Sequence, residues 1–216
     1  FINSAAIRYS EVQLDGNIHL IGTQGVGKST ILRAILFFYN ADTQRLGIPV
    51  EKKSYQDYYF PYADSSIIYE VAREDGWFTV LSYKTMNRIC YRFIASPYRP
   101  DLFIDEEGAP YPSDRIRSVL DKNGIKYSGA ISTYEEYRNI LYGNSDNKRD
   151  YSCYSLMESG SYQNIIRTIQ NVLLNSRLEA DYIKQTIITS LNEADSVIDL
   201  SRYRSHLSGF EAQLND

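Results

Sequence analysis

The sequence predicts an α/β fold: a mixed sheet with an antiparallel β subdomain, followed by helices that lead into a coiled coil. A glycine-rich loop, Gly22-Thr23-Gln24-Gly25-Val26-Gly27-Lys28-Ser29-Thr30, lies between an apolar run that reads as a strand and one that reads as a helix. Three strand-like runs then follow one another with only short turns between them. Beyond them the apolar residues recur at helical spacing to the end of the 216 residues.

Taken in order, Ile7 to Leu14 and Asn17 to Ile21 flank Asp15-Gly16, which predicts a hairpin whose second strand runs into the glycine loop. Thr30 to Tyr39 carries Ile31, Leu32, Ala34, Ile35, Phe38 and Tyr39, apolar almost all round, so this helix is expected to be buried. Asn40 to Asp64 holds Gly47, Pro49 and Pro61 and reads as loop. Ser66–Arg73, Phe78–Lys84 and Ile89–Ala95 follow as strands, joined at Glu74-Asp75-Gly76 and Met86-Asn87. In the third, Ile89, Tyr91 and Phe93 alternate with Cys90 and Arg92, the pattern of a half-buried antiparallel strand.

After Pro112 the pattern turns helical, with Ser113–Lys122 and Thr133–Tyr142 as short helices. The second opens on Ser132-Thr133, with Glu135 and Glu136 in its first turn. Gly143 to Asp150 is a polar linker, and Tyr162–Leu174 and Leu178–Leu191 read as longer helices. Leu200, Tyr203, Leu207, Phe210 and Leu214 recur at steps of three and four, the spacing of a coiled-coil seam. The expected organisation is a P-loop β-rich lobe over 1–110, a helical part over 111–195 and the start of a coiled-coil arm over 196–216. The chain begins at Phe1 without Met and ends within an apparent helix, so it reads as a segment of a longer protein.

The glycine loop has the pattern G-x-x-x-x-G-K-[ST], the Walker A or P-loop motif. Glycines let backbone N–H groups close around phosphate oxygens, and the following helix turns the positive end of its dipole toward them. Gly22, Thr23, Gln24, Gly25, Val26, Gly27, Lys28, Ser29 and Thr30 are therefore the candidate ATP-binding residues. Lys28 is the candidate catalytic group on the β- and γ-phosphates, and Ser29 the ligand of Mg²⁺. Thr30 is placed to touch the α-phosphate. Arg33 and Arg45 are candidates for contacts to nucleotide or DNA, against a reading as solvated surface arginines.

The formal net charge of −4 gives no support to a chain that coats itself onto nucleic acid. Cys90 and Cys153 lack metal-ligand spacing and fit a reduced, cytoplasmic setting. No apolar run approaches the length of a membrane span. The compositional oddity is tyrosine: 20 of them, dense over Tyr55-Gln56-Asp57-Tyr58-Tyr59-Phe60-Pro61-Tyr62. Packing by a ring that keeps a hydrated hydroxyl explains these better than base stacking, because few Lys or Arg are interleaved.

Two further stretches have the outline of ATPase motifs. Leu102-Phe103-Ile104-Asp105-Glu106 resembles a Walker B strand, but it is short, follows Pro100-Asp101 and runs into Glu107-Gly108, so a hairpin turn is the better reading. Leu207-Ser208-Gly209 resembles the start of the LSGGQ signature, but Phe210 stands where the second glycine belongs. With both set aside, the chain is expected to bind nucleotide without a complete hydrolytic set.

On these residues the chain resembles the N-terminal half-head of an SMC-like, ABC-type ATPase, in the branch with MukB and the Wadjet JetC proteins. The resemblance runs through Phe1-Ile2-Asn3-Ser4 as the opening strand, His19-Leu20-Ile21 and the loop to Thr30, and Ile31-Leu32-Arg33-Ala34-Ile35. It continues in Tyr69-Glu70-Val71, Ser132-Thr133-Tyr134-Glu135-Glu136-Tyr137 and Tyr154-Ser155-Leu156-Met157-Glu158-Ser159-Gly160. At the family's Q-loop the chain carries Ser159-Gly160, with Gln163 one helical turn on.

The resemblance implies a P-loop NTPase head of ABC/SMC type that homodimerises around two ATP molecules, with signature and Walker B supplied by a C-terminal half. It further implies Mg²⁺, coiled coils moved by hydrolysis, DNA as the object of loop extrusion, condensation or plasmid defence, and kleisin and KITE-type subunits with a partner nuclease. An ABC-like ATPase fused to a nuclease, of the overcoming-lysogenisation type, is the alternative. A P-loop kinase or GTPase is disfavoured by the meander and by the lack of N-K-x-D.

Overall fold

Five strands form one antiparallel sheet, in the order β2-β1-β3-β4-β5, in the computed structural model. It describes residues 1–16, 18–40, 54–86, 88–143 and 151–156. The long strands are β3 (Ser66–Arg73), β4 (Gly76–Thr85) and β5 (Arg88–Ile94). Arg73 pairs with Gly76 and Thr85 with Arg88, so the two connections are the short turns expected at Glu74-Asp75 and Met86-Asn87.

The first hairpin differs from expectation. β1 (Ile2–Ser4) pairs with β2 (Ile7–Tyr9) across Ala5-Ala6, in the register Ile2↔Tyr9 and Ser4↔Ile7. The expected strands over Ile7–Leu14 and Asn17–Ile21 do not form a hairpin about Asp15-Gly16; among the described residues, 10–23 carry no strand. A strand is held by a partner's backbone and by cover for its apolar face. Here Leu14, Ile18 and Ile21 are 48%, 42% and 92% exposed, so nothing rewards the pairing. Every strand pair among the described residues is antiparallel, where a mixed sheet was expected.

Alternation along β4 and β5 feeds two cores. Phe78, Val80, Ile89, Tyr91 and Phe93 join a cluster with helix α1 (Lys28–Asn40), the short helix α2 (Tyr55–Tyr59) and helix α4 (Tyr134–Leu141). Leu81, Tyr83, Cys90 and Ile94 join a second cluster with Ile2, the 3-10 turn at Pro100–Leu102, Phe103 and helix α3 (Ser113–Lys122). β5 is therefore buried on both faces rather than half-buried, because each face has its own layer. Its free edge is also covered: Tyr91 bridges to Ile131 and Ile94 to Tyr127. The change from strands to helices near residue 110 is thus not a break in packing, since α3 and α4 complete the cores of the sheet.

The helices end as their sequences dictate. Thr133 caps α4, its hydroxyl accepting from the Glu136 amide at 3.2 Å. Ser54 does the same for α2 through the Asp57 amide, also at 3.2 Å. Helices expected over Tyr162–Leu174 and Leu178–Leu191, and the seam from Leu200, lie outside the described residues. Cys90 and Cys153 are both free thiols.

Candidate functional site

The glycine loop turns at Gln24–Gly27 and delivers the chain into α1 at Lys28. Gly25 and Gly27 sit at φ of +89° and +96°, backbone that side chains rarely adopt. A Cβ at either would meet nothing within 4 Å, so it is the turn itself, not crowding, that requires glycine there. The first helical bond runs from the Ile31 amide to Gly27 O at 3.1 Å. Amides of the preceding residues in the first turn have no intrahelical acceptor and, with the dipole, form a site for an anion.

Lys28 lies back across the loop, its Nζ donating to Gly22 O and Thr23 O, both at 2.6 Å. An ammonium has three donors and releases carbonyl partners readily to a phosphate oxygen of higher charge. Ser29 is exposed at the helix start. The loop therefore brings together the residues that the motif requires: glycines at the bend, Lys28 above it, Ser29 and Thr30 in the first turn. These fit a nucleotide's phosphates and a magnesium ion held through the Ser29 hydroxyl.

What positions α1 was not legible in the motif. Four tyrosine hydroxyls from three other elements, α2, β3 and α4 with its closing residue, bond its carbonyls. Tyr59 of α2 donates to Thr30 O at 2.7 Å and Tyr69 of β3 to Ala34 O at 2.8 Å. Tyr137 of α4 donates to Phe38 O, and Tyr142, the residue closing α4, to Tyr39 O, each at 2.7 Å. Acceptors at 30, 34 and 38 are one turn apart, so the tyrosines stand as rungs along one side of the helix. The last two also satisfy carbonyls of the final turn, which a helix cannot satisfy internally.

Tyr58 adds a contact at the loop end: its hydroxyl is 3.0 Å from Thr30 Oγ1. Burial pushes the phenols of Tyr55, Tyr59, Tyr69, Tyr91 and Tyr137 above their ordinary value. All five stay neutral at physiological pH, and Tyr59, Tyr69 and Tyr137 use their protons to donate to α1. The tyrosine excess could have been matched to α1 only by knowing which strands and helices surround it.

Asp105 occupies a turn. Its Oδ1 accepts from the Ala109 amide at 2.7 Å and the Glu107 amide at 3.1 Å, while Ile104 bridges to Pro110. Arg33 is half-buried on α1. Arg45, Ser159, Gly160, Gln163 and Leu207-Ser208-Gly209 lie outside the described residues. Among the described residues no group of His, Cys, Asp and Glu could hold a metal ion by itself, and no helix is long and apolar enough to cross a membrane.

A family model described as "Protein of unknown function (DUF3584)" matches residues 7–208. The chain belongs to the DUF3584 family. That family is associated with RecF/RecN/SMC-like proteins. The DUF3584 match spans the glycine loop, α1 and the whole β3–β5 meander. No curated protein and no solved structure matches the chain.

Proposed function

We propose that this DUF3584 chain is the ATP-binding N-terminal half of an SMC-like motor ATPase head, of the MukB and JetC kind, acting on DNA in the bacterial cytoplasm. The observation that carries the reading is the loop from Gly22 to Thr30, which bends at two left-handed glycines and opens α1 at Lys28 with Ser29 exposed beside it. In this reading the loop amides and Lys28 hold the β- and γ-phosphates, Ser29 holds Mg²⁺ and Thr30 meets the α-phosphate. Bound ATP supplies the phosphoanhydride whose hydrolysis drives the motor.

The exposed apolar residues before and within the loop support the same reading. Leu14, Ile18, Ile21 and Val26 would be covered by a complementary half-head carrying the signature and Walker B residues. Two such heads would close around two nucleotides, and kleisin and KITE-type subunits with a partner nuclease would complete the assembly. The test is MgATP binding and turnover by the full-length protein with its partners, with and without circular DNA, beside Lys28→Ala. DNA-stimulated turnover lost in Lys28→Ala is the expected result. DNA cleavage by the single polypeptide, independent of partners, would replace the motor with an ATPase fused to a nuclease.

A further inference from the structure

We propose that Tyr58 is a positioning residue for the nucleotide, acting through the hydroxyl of Thr30. The inference rests on the phosphate-binding reading above and adds to it a residue outside the motif. α2 grips Thr30 twice: Tyr59 takes its carbonyl at 2.7 Å and Tyr58 approaches its side-chain oxygen at 3.0 Å. The two contacts differ in setting. Tyr59 is fully buried and serves the helix, whereas Tyr58 is 38% exposed and reaches the side chain of Thr30, which is itself 8% exposed. The Tyr58 ring is fixed edge-on against Tyr59, with centroids 4.9 Å apart at 79°. α2 in turn is held at its start by Ser54 and by a 3.1 Å ion pair from Lys84 of β4 to Asp57.

A helical threonine ordinarily turns its hydroxyl back onto the carbonyl four residues earlier, which for Thr30 is that of Val26. Tyr58 offers the alternative. A hydroxyl has one proton and two lone pairs, and a phosphate oxygen only accepts. With an anion beside Thr30, the proton order is therefore fixed: Tyr58 donates to Thr30, and Thr30 donates outward to the phosphate. A chain so polarised makes Thr30 a better donor than it is alone. α2 thereby joins the loop in recognising nucleotide, and through Asp57–Lys84 ties that recognition to the β4 strand.

The experiment measures the dissociation constant of MgATP and MgADP for the full chain by calorimetry. It compares wild type with Tyr58→Phe, Thr30→Ala, the double variant, Thr30→Ser and Lys28→Ala. Tyr58→Phe keeps the packed ring and removes only the hydroxyl, and is expected to weaken binding about three- to tenfold, the worth of one such bond, with an unchanged unfolding midpoint. Added to Thr30→Ala it should cost nothing more, while in the Thr30→Ser background its effect should persist.

Unchanged affinity in Tyr58→Phe beside loss in Lys28→Ala would overturn the role of Tyr58 and leave the loop reading standing. So would a full additional loss in the Thr30→Ala background, since the coupling would then be absent. A wild type that binds neither nucleotide would remove the phosphate reading and this inference with it.

Discussion

Tyr91 and Tyr137 offer one perturbation with two opposite outcomes. Their rings are neighbours, with centroids 4.3 Å apart, and both are buried in the same cluster. Replacing either by Phe deletes a single oxygen and leaves the ring. The Tyr137 hydroxyl donates to Phe38 O at 2.7 Å in the last turn of α1. Its loss removes a bond with a net worth of about 1 kcal/mol and strands a buried carbonyl, for about 2 kcal/mol of destabilisation in all. The Tyr91 hydroxyl is buried with no hydrogen-bond partner among the described residues. Burying such a group unpaired costs about 1–3 kcal/mol, so Tyr91→Phe should be neutral or stabilise by up to about 1 kcal/mol, allowing for local relaxation. Urea unfolding followed by circular dichroism measures both, provided that the slope with denaturant is constant. Equal destabilisation by the two variants, or none by Tyr137→Phe, would refute the claim that hydroxyl contacts hold α1 in place.

The same phenols predict an alkaline limit. Unfolded tyrosine ionises near 10, while burial holds Tyr55, Tyr59, Tyr91 and Tyr137 neutral to higher pH, so their contribution to stability is constant below pH 10 and lost as pH rises above it. Four groups at about 1.4 kcal/mol each per pH unit give a fall of at most about 5.6 kcal/mol per unit, and phenolate absorbance should appear together with unfolding. At the β4–β5 turn, Met86 is 95% exposed at φ of +36°, so Met86→Asn, which tolerates that backbone, should raise stability by about 0.5–1 kcal/mol in thermal melts. Asp105→Asn should leave MgATP affinity unchanged, because that carboxylate serves turn amides; a loss as large as that of Lys28→Ala would place it in the site.

Local patterns were legible where the structure is local. The α1, α3 and α4 helices, the β3–β5 meander and the caps at Thr133 follow from periodicity and turn residues within a few positions. The Asp15-Gly16 signal misled because a turn dipeptide states only where a chain can reverse. Whether Leu14, Ile18 and Ile21 become strand depends on cover from elsewhere, which the described residues do not supply. β5 misled in the other direction, since its alternation was real but a second layer, built by Leu102, Phe103 and α3, buries the face that was expected to be open. The loop's glycines and lysine were legible as a motif. Tyr58 and Tyr59 were visible only as part of an aromatic cluster, because their partner Thr30 is 28 and 29 positions away.

The rungs along α1 have a mechanical meaning. Three elements, α2, β3 and α4, each hold this rod at a different height, and Tyr142 clamps its far end. A rod pinned at four points cannot slide or spin by itself. A force applied at Lys28 must either shear several hydroxyl contacts together or swing the sheet and both helices as a single stiff arm. Displacement at the loop is therefore passed to α2, β3 and α4, the elements that hold α1, rather than taken up by a sliding helix.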